Sequence, residues 1–221
     1  MFCTTWRGII EIIARAAVMV VAVISFLLSP IHIRTIQSNQ YLDLILMAPA
    51  TTSPIPETQA LIRGSVNVAG FMIFLSIVCF IVQIPTIVGR FILKGGTALI
   101  FVLHVVDAVA SGVLAVFFLC GAIAAGAYGG QWGEPPQICT EGFIDQIKKT
   151  LDDLGVSSSG ITFSCNEGTL AAQLGGLSVV GLVGGGLTIF LAVWTVYALY
   201  AKWDYASNVY KEDVEDNVNG I

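Results

Sequence analysis

The sequence predicts an all-α integral membrane protein, a four-helix bundle with a small disulfide-tied cap on the extracellular or lumenal side. Hydrophobic residues make up 56% of the chain and charged residues only 11%, whereas soluble domains carry about 25% charged residues. The apolar residues are concentrated in four runs, at about 8–28, 66–88, 97–127 and 173–201. Each run reaches the roughly 20 residues that a helix needs to cross a bilayer. Helices are expected because each one satisfies its own backbone hydrogen bonds in lipid.

The first run resembles the apolar part of a signal peptide, because Arg7 precedes it. It is longer than a typical signal sequence and continues into Ser29-Pro30 without a small-x-small cleavage pattern. We therefore predict a retained helix, with a cleaved signal peptide as the alternative.

Basic residues near the span ends predict the orientation, because cytosolic segments carry an excess of Lys and Arg. The short link 89–96 is dense in them, whereas the loops 30–64 and 128–170 are long and sparse. We expect both termini and the link to be cytosolic and both loops to be extracellular or lumenal. The residues on the cytosolic side are Arg7, Arg90, Lys94, Lys202 and Lys211.

The two loops differ in organisation. In the first loop, residues 41–47 are apolar enough to lie on the bilayer surface or to pack on the second loop, and 48–56 is a turn-rich break. In the second loop, apolar residues recur at helical spacing over 141–154, which predicts a short amphipathic helix. The chain thus divides into a membrane domain, 1–201, and an acidic cytosolic tail, 202–221, which we expect to be disordered beyond its first turns.

The cysteines are consistent with this orientation. Cys79 and Cys120 lie inside apolar spans and Cys3 lies at the cytosolic start, whereas Cys139 and Cys165 share the second loop. A pair of cysteines alone in an oxidising compartment is expected to form a disulfide. Closing this loop would stabilise it by about 3 kcal/mol in the chain-entropy model. The alternative is two free thiols.

Four ionisable residues lie inside the spans, Glu11 and Arg15 in the first and His104 and Asp107 in the third. Such groups are costly in lipid and usually pair inside the bundle. Arg15 and Asp107 lie at similar depths in the cytosolic half, so we predict an interhelical bridge with Glu11 and His104 beside it. A proton relay or ion site is the competing interpretation. We favour a structural role, because a relay needs polar residues through the whole membrane and we expect none in the outer halves of the first and third spans.

Small residues at four-residue spacing form a second pattern, which lets helix backbones approach closely. Packing within the bundle is the simpler interpretation, and an oligomer contact is the alternative. The residues are Ala108, Gly112, Gly121, Ala125, Gly181 and Gly185.

Several function classes receive no support from the sequence. The net charge of −5 offers no basic face for nucleic acid. The two histidines cannot supply the paired ligands of a membrane haem protein, and no zinc-protease, phosphate-loop or nucleophile-elbow motif occurs. We expect no enzymatic activity, no metal and no cofactor apart from bound lipid or sterol.

The four-span plan resembles the MARVEL domain, the module of physins, gyrins, occludin and the myelin-and-lymphocyte proteins. The resemblance consists of Arg15 early in the first span, Asp107 within 103–110, the Ala/Gly-rich exit 120–128 and a two-cysteine loop. It implies cytosolic termini and a role in membrane apposition, vesicle trafficking or microdomains, often as oligomers with cholesterol-rich lipid. Unlike the physins, the first loop has no cysteine. The tryptophan and cysteine motif of claudins and the Cys-Cys-Gly of tetraspanins are absent.

These observations predict a non-enzymatic tetraspan protein of the plasma membrane or a secretory or vesicular membrane. It would organise membrane lipids and scaffold further copies or other membrane proteins through its helix faces and second loop. One alternative is an accessory subunit of a larger membrane complex. Another is a small transporter or channel that uses Arg15, His104 and Asp107.

Overall fold

The structure is a computed structural model that describes residues 6–48, 54–92, 97–153, 155 and 158–219, with side chains left out at 6–8, 89–92, 97–101 and 202–219. It is an all-helical bundle, as predicted. The helices are α1 (Trp6–Gln37), α2 (Gln40–Met47), α3 (Ile55–Ile92), α4 (Thr97–Gly133), α5 (Glu141–Asp153) and α6 (Glu167–Asn219), with 3₁₀ turns at Gln137–Cys139 and Ser158–Gly160.

Four of these helices are long and apolar enough to cross a membrane: α1, α3, α4 and α6. They pack in a ring, with α1 against α3 and α6, and α4 against α3 and α6. Consequently α1 and α4 face each other across one diagonal of the bundle, and α3 and α6 across the other. The chain is an integral membrane protein. Each membrane helix runs antiparallel to the two helices on which it packs, and the four together enclose the interior.

The helices extend beyond the predicted spans. Their candidate membrane segments run for 29 to 35 residues, which is about 44–53 Å at 1.5 Å per residue and exceeds the hydrocarbon core of about 30 Å. The predicted loop 30–64 was wrong in its extent, because α1 continues through Pro30 to Gln37 and α3 already begins at Ile55. Pro30 removes one backbone donor, but Ile33 and Ile36 beyond it pack into the core and hold the helix.

Each of three helices has a set of eight buried residues at alternating intervals of four and three. An interval of 3.5 residues keeps one face of each helix on the bundle axis and is the signature of left-handed, coiled-coil-like packing. We call these positions the seam of each helix. The α1 seam is Glu11, Arg15, Val18, Ala22, Ser25, Ser29, His32 and Ile36; the α3 seam is Thr58, Ile62, Ser65, Ala69, Met72, Ser76, Cys79 and Gln83; the α6 seam is Leu170, Leu174, Leu177, Gly181, Gly184, Thr188, Leu191 and Thr195.

The cap consists of α2, α5 and the two 3₁₀ turns. It covers one end of the bundle, which we call the cap end. The Tyr41 hydroxyl on α2 donates to the Ile138 carbonyl at 2.6 Å. Asn39 caps α2 by accepting from the backbone N–H groups of its first turn, and its amide donates to the Ser164 carbonyl at 2.6 Å. Residues 41–47 therefore pack on the second loop, one of the two predicted placements. The predicted amphipathic helix is also present as α5, and Phe143 packs against the cap core.

The tail corrects another expectation. Residues 202–219, predicted to be disordered beyond their first turns, continue α6 as helix to Asn219. No glycine or proline interrupts the chain from Leu187 to Asn219, so nothing in the local sequence stops the helix. The basic residues on which the predicted orientation rests have side chains outside the described set, as does Cys3, and the orientation stays a prediction.

Candidate functional site

A cluster of polar side chains, the inner cluster, lies in the bundle interior at the end opposite the cap. Its centre is Arg15, which is only 1% exposed. The guanidinium donates to Glu11 Oε1 from Nε at 3.0 Å and Nη2 at 2.9 Å. From Nη1 it donates to Gln83 Oε1 at 2.7 Å and to Asp107 Oδ1 at 3.1 Å. Its Nη2 also pairs with Asp107 Oδ2, and Thr195 Oγ1 donates to that oxygen at 3.3 Å.

This cluster joins all four membrane helices, three of them through the Arg15 guanidinium and α6 through Asp107. Arg15 lies on α1 and Asp107 on α4, so their bidentate ion pair crosses the diagonal of the bundle, while Gln83 belongs to α3 and Thr195 to α6. A bidentate, charge-assisted pair is stronger than a neutral hydrogen bond and more demanding in geometry. The long Arg side chain is what allows two helices without direct packing to be connected.

The predicted bridge between Arg15 and Asp107 is present, with Glu11 beside it. His104 is buried on the same face of α4, three residues before Asp107. Sequence reasoning missed Gln83 and Thr195 because it considered only ionisable residues. The signal that could have found them is the alternating four–three spacing, because both occupy the last seam position of their helices.

The cap-end half of the bundle is more polar than the sequence analysis expected. The expectation that the outer half of the first span carries no polar residue was wrong, because Ser25, Ser29 and His32 are fully buried on the α1 seam. His32 lies in the predicted first loop, which is helix at this position. Its Nδ1 lies 3.1 Å from Gln173 Oε1 on α6, and Gln173 Nε2 donates to Thr35 Oγ1 at 3.1 Å.

Several buried polar atoms in this interior have no hydrogen-bond partner within the described part of the chain. Such atoms are uncommon in folded proteins, since burying an unpaired polar group costs about 1–3 kcal/mol. Each of these atoms could form one further hydrogen bond. The atoms are Ser25 Oγ, His32 Nε2, Gln83 Nε2, Ser111 Oγ and Trp132 Nε1.

The small residues divide into two groups. A Cβ at Gly121 would lie 2.6 Å from Met72 Sδ, and one at Gly181 would lie 2.9 Å from Ala122 Cβ. Gly185 is equally close to Leu119, and Ala125 is fully buried. These residues are therefore used within the bundle. In contrast, a Cβ at Gly112 would meet nothing within 4 Å and Ala108 is only half-buried, so this part of α4 faces outward.

The disulfide between Cys139 and Cys165 is formed, as predicted. It connects the beginning of the cap to the base of α6. Glu167 lies close to both sulfur atoms, but sulfurs committed to a disulfide are not available as metal ligands. Cys79 is buried and Cys120 exposed, both as free thiols.

Comparison of the chain with protein-family models, with curated proteins and with solved structures finds no match. The arrangement must be interpreted from its own chemistry. What the inner cluster can do is hold four helices in one register, since a displaced helix would leave a buried charge or amide unpaired. At the cap end, by contrast, several buried polar atoms have no hydrogen-bond partner, among them His32 Nε2 and Trp132 Nε1.

Proposed function

We propose that this protein is a non-enzymatic tetraspan module that organises the membrane around it and scaffolds partners through its helix faces and cap. The observation that carries the proposal is that Nε, Nη1 and Nη2 of Arg15 all donate to side chains of the protein itself. Its guanidinium donates to Glu11 on its own helix and to Gln83 and Asp107 on α3 and α4, so its donors are used inside the bundle. A rigid interior with an apolar exterior is what a membrane scaffold requires.

Between the inner cluster and the cap end the interior holds mostly large apolar side chains, with a few isolated hydroxyls such as those of Ser76 and Thr188 among them. Met72 and Phe118 are fully buried there, and Leu75 and Leu114 are nearly so. Ions and protons move along continuous polar or hydrated paths, whereas these two hydroxyls donate to carbonyls of their own helices and lie among packed apolar side chains. This mostly apolar region supports the structural interpretation over the transporter interpretation.

The exterior supports a role exercised within the membrane plane. Large apolar side chains, among them Val109 and Val116, are more than half exposed on α4, and Gly112 between them leaves the backbone accessible. In lipid, close backbone approach at small residues drives helix association. The residues that resemble the MARVEL domain, Arg15 and Asp107 above all, belong to the inner cluster, and the resemblance supports the same class of function. A second copy of this chain is the partner that we expect first.

The test is the oligomeric state in native membranes, measured by crosslinking and by mass after mild detergent extraction. Gly112→Leu should reduce the oligomer at least several-fold without loss of folded protein. Gly70→Leu is the matched control, since Gly70 on α3 is equally open to its surroundings. A monomeric wild type that co-purifies stoichiometrically with one large assembly would instead identify an accessory subunit.

A flux measurement separates the scaffold from a transporter. Purified protein in liposomes should conduct protons and monovalent ions no faster than empty liposomes. A flux that Asp107→Asn abolishes, with the amount of folded protein unchanged, would refute the structural role assigned to the inner cluster.

A further inference from the structure

His32 lies on the α1 seam near the cap end and is fully buried. It is one of two histidines in the chain, and the structural role of the inner cluster does not involve it. Its hydrogen bond through Nδ1 to Gln173 connects α1 to α6, two helices that pack against each other. The side chain is therefore placed where a change in its protonation would act on a helix–helix contact.

The hydrogen bonds around His32 define its tautomer. Thr35 Oγ1 donates to the Ile31 carbonyl at 2.9 Å, so it accepts the hydrogen bond from Gln173 Nε2. The amide oxygen of Gln173 must then face His32, and because this oxygen only accepts, Nδ1 of His32 must carry the proton. The neutral ring consequently presents an unprotonated Nε2, which is the nitrogen that has no hydrogen-bond partner.

Among the described residues, no charged side chain of the surrounding elements is buried beside this ring. On α1, α2 and α3 the nearest ones are exposed to solvent, and Glu167 on α6 is half-buried but six residues before Gln173, which is about 9 Å along the helix. The phenols of this region are the buried Tyr41, bonded to Ile138, and the half-buried Tyr128. The exposed charged residues are Arg34, Asp43, Glu57 and Arg63, with Glu134 just beyond α4.

We propose that Nε2 of His32 is a proton-binding site at the cap end of the bundle, and that taking up a proton releases α1 from α6. Protonation turns Nε2 into a donor and places a positive charge at a buried position. A buried donor without an acceptor, and a buried charge without a counter-charge, both destabilise the packed arrangement. The ring can relieve this cost only by moving towards water.

Pro30 provides the place where α1 can bend. It lies inside the helix, two residues before His32, and its missing N–H leaves one carbonyl of the preceding turn without a helical hydrogen bond. Bends in helices occur at such positions. Residues 31–37 can therefore move as a unit while the remainder of α1, held by Arg15, stays in place. This inference is independent of the scaffold proposal.

The first measurement uses the unmutated chain. Histidine labelled with ¹⁵N, in lipid nanodiscs at pH 7.5, should show His32 as the Nδ1–H tautomer, with His104→Gln used only to assign its signals. An Nε2–H tautomer for His32 at this pH would overturn the proposal.

The second measurement is hydrogen exchange followed by mass spectrometry at pH 7.5 and 5.5, corrected for intrinsic exchange rates. Amides of residues 31–37 should exchange several-fold, and at most about tenfold, faster at pH 5.5 in the wild type and in His104→Gln, but not in His32→Gln, whose side chain cannot take up the proton. In sealed proteoliposomes, acidification of the cap side alone should suffice. Acceleration that persists in His32→Gln, or that appears only on acidification of the opposite side, would contradict it.

Discussion

Removing the carboxylate of Asp107 should destabilise the bundle severely. In Asp107→Ala, the Arg15 guanidinium keeps Glu11 and Gln83 but loses two hydrogen bonds and one of its two carboxylates, and Thr195 loses its acceptor. Breaking a buried ion pair by removing one partner costs about 3–5 kcal/mol. For a chain of this size 1 kcal/mol corresponds to about 2–4 °C in Tm, so we expect a decrease of about 6–20 °C.

The matched control is the pair between Lys148 and Asp145 on α5, which is 3.2 Å long and solvent-exposed. Exposed pairs contribute about 0.2–1 kcal/mol, so Asp145→Ala, which leaves Lys148 over the ring of Phe163, should lower Tm by less than about 4 °C. Both variants are compared with the wild type by thermal unfolding in the same detergent, with tryptophan fluorescence as the readout.

A third variant tests whether the charges stabilise the bundle or specify its arrangement. Replacing a complete buried ion pair by apolar residues of similar size is often nearly neutral. The combination of Glu11→Gln, Arg15→Met and Asp107→Leu should therefore unfold at a higher temperature than Asp107→Ala. If Asp107→Ala lowers Tm no more than Asp145→Ala does, the inner cluster does not hold the helices together and our reasoning fails.

Three further predictions concern the cap and the helix contacts. Replacing Cys139 and Cys165 by Ser should destabilise the closed cap by about 3.5 kcal/mol in the chain-entropy model, given their separation of 26 residues. Trypsin should then cleave α5 much faster than in the wild type. An unchanged cleavage rate would refute this prediction. Gly181→Leu should cost at least about 1–3 kcal/mol by overpacking α4 against α6, whereas Gly112→Leu should change Tm little. Burial raises the pKa of Tyr41 to about 12. The contribution of its neutral phenol to the free energy of unfolding should therefore be complete below pH 10 and lost as the pH approaches 12. Tyr41→Phe should remove this pH dependence of Tm.

Much of the architecture could be predicted from the sequence because it depends on properties of single segments. Transfer of an apolar run into lipid is favourable wherever the run stands, so the four membrane helices were visible as four runs. The short helix α5 was visible because its apolar residues recur at helical spacing. The disulfide was expected because Cys139 and Cys165 were the cysteines that shared one loop.

The ion pair of the inner cluster was also accessible, for a related reason. Arg15 and Asp107 are charged residues in apolar spans, at nearly equal depth, and an unpaired charge is too costly there. Their pairing follows from electrostatics before any helix arrangement is known. Neutral residues such as Gln83 and Thr195 could lie at several places in the bundle without so large a cost. The sequence alone therefore did not assign them to the cluster.

By itself, then, the sequence determined that this chain crosses a membrane four times, where its disulfide forms and which two charges meet. The tertiary structure alone decided that α1 and α4 are diagonal neighbours, that α1 continues through Pro30 so that His32 is buried, and that Gly121 and Gly181 are used inside the bundle while Gly112 is not. The physical reason is that transfer into lipid depends on a single segment and charge pairing on two residues. Helix ends, the partners of neutral polar groups and the use of small residues depend on how all four helices pack together.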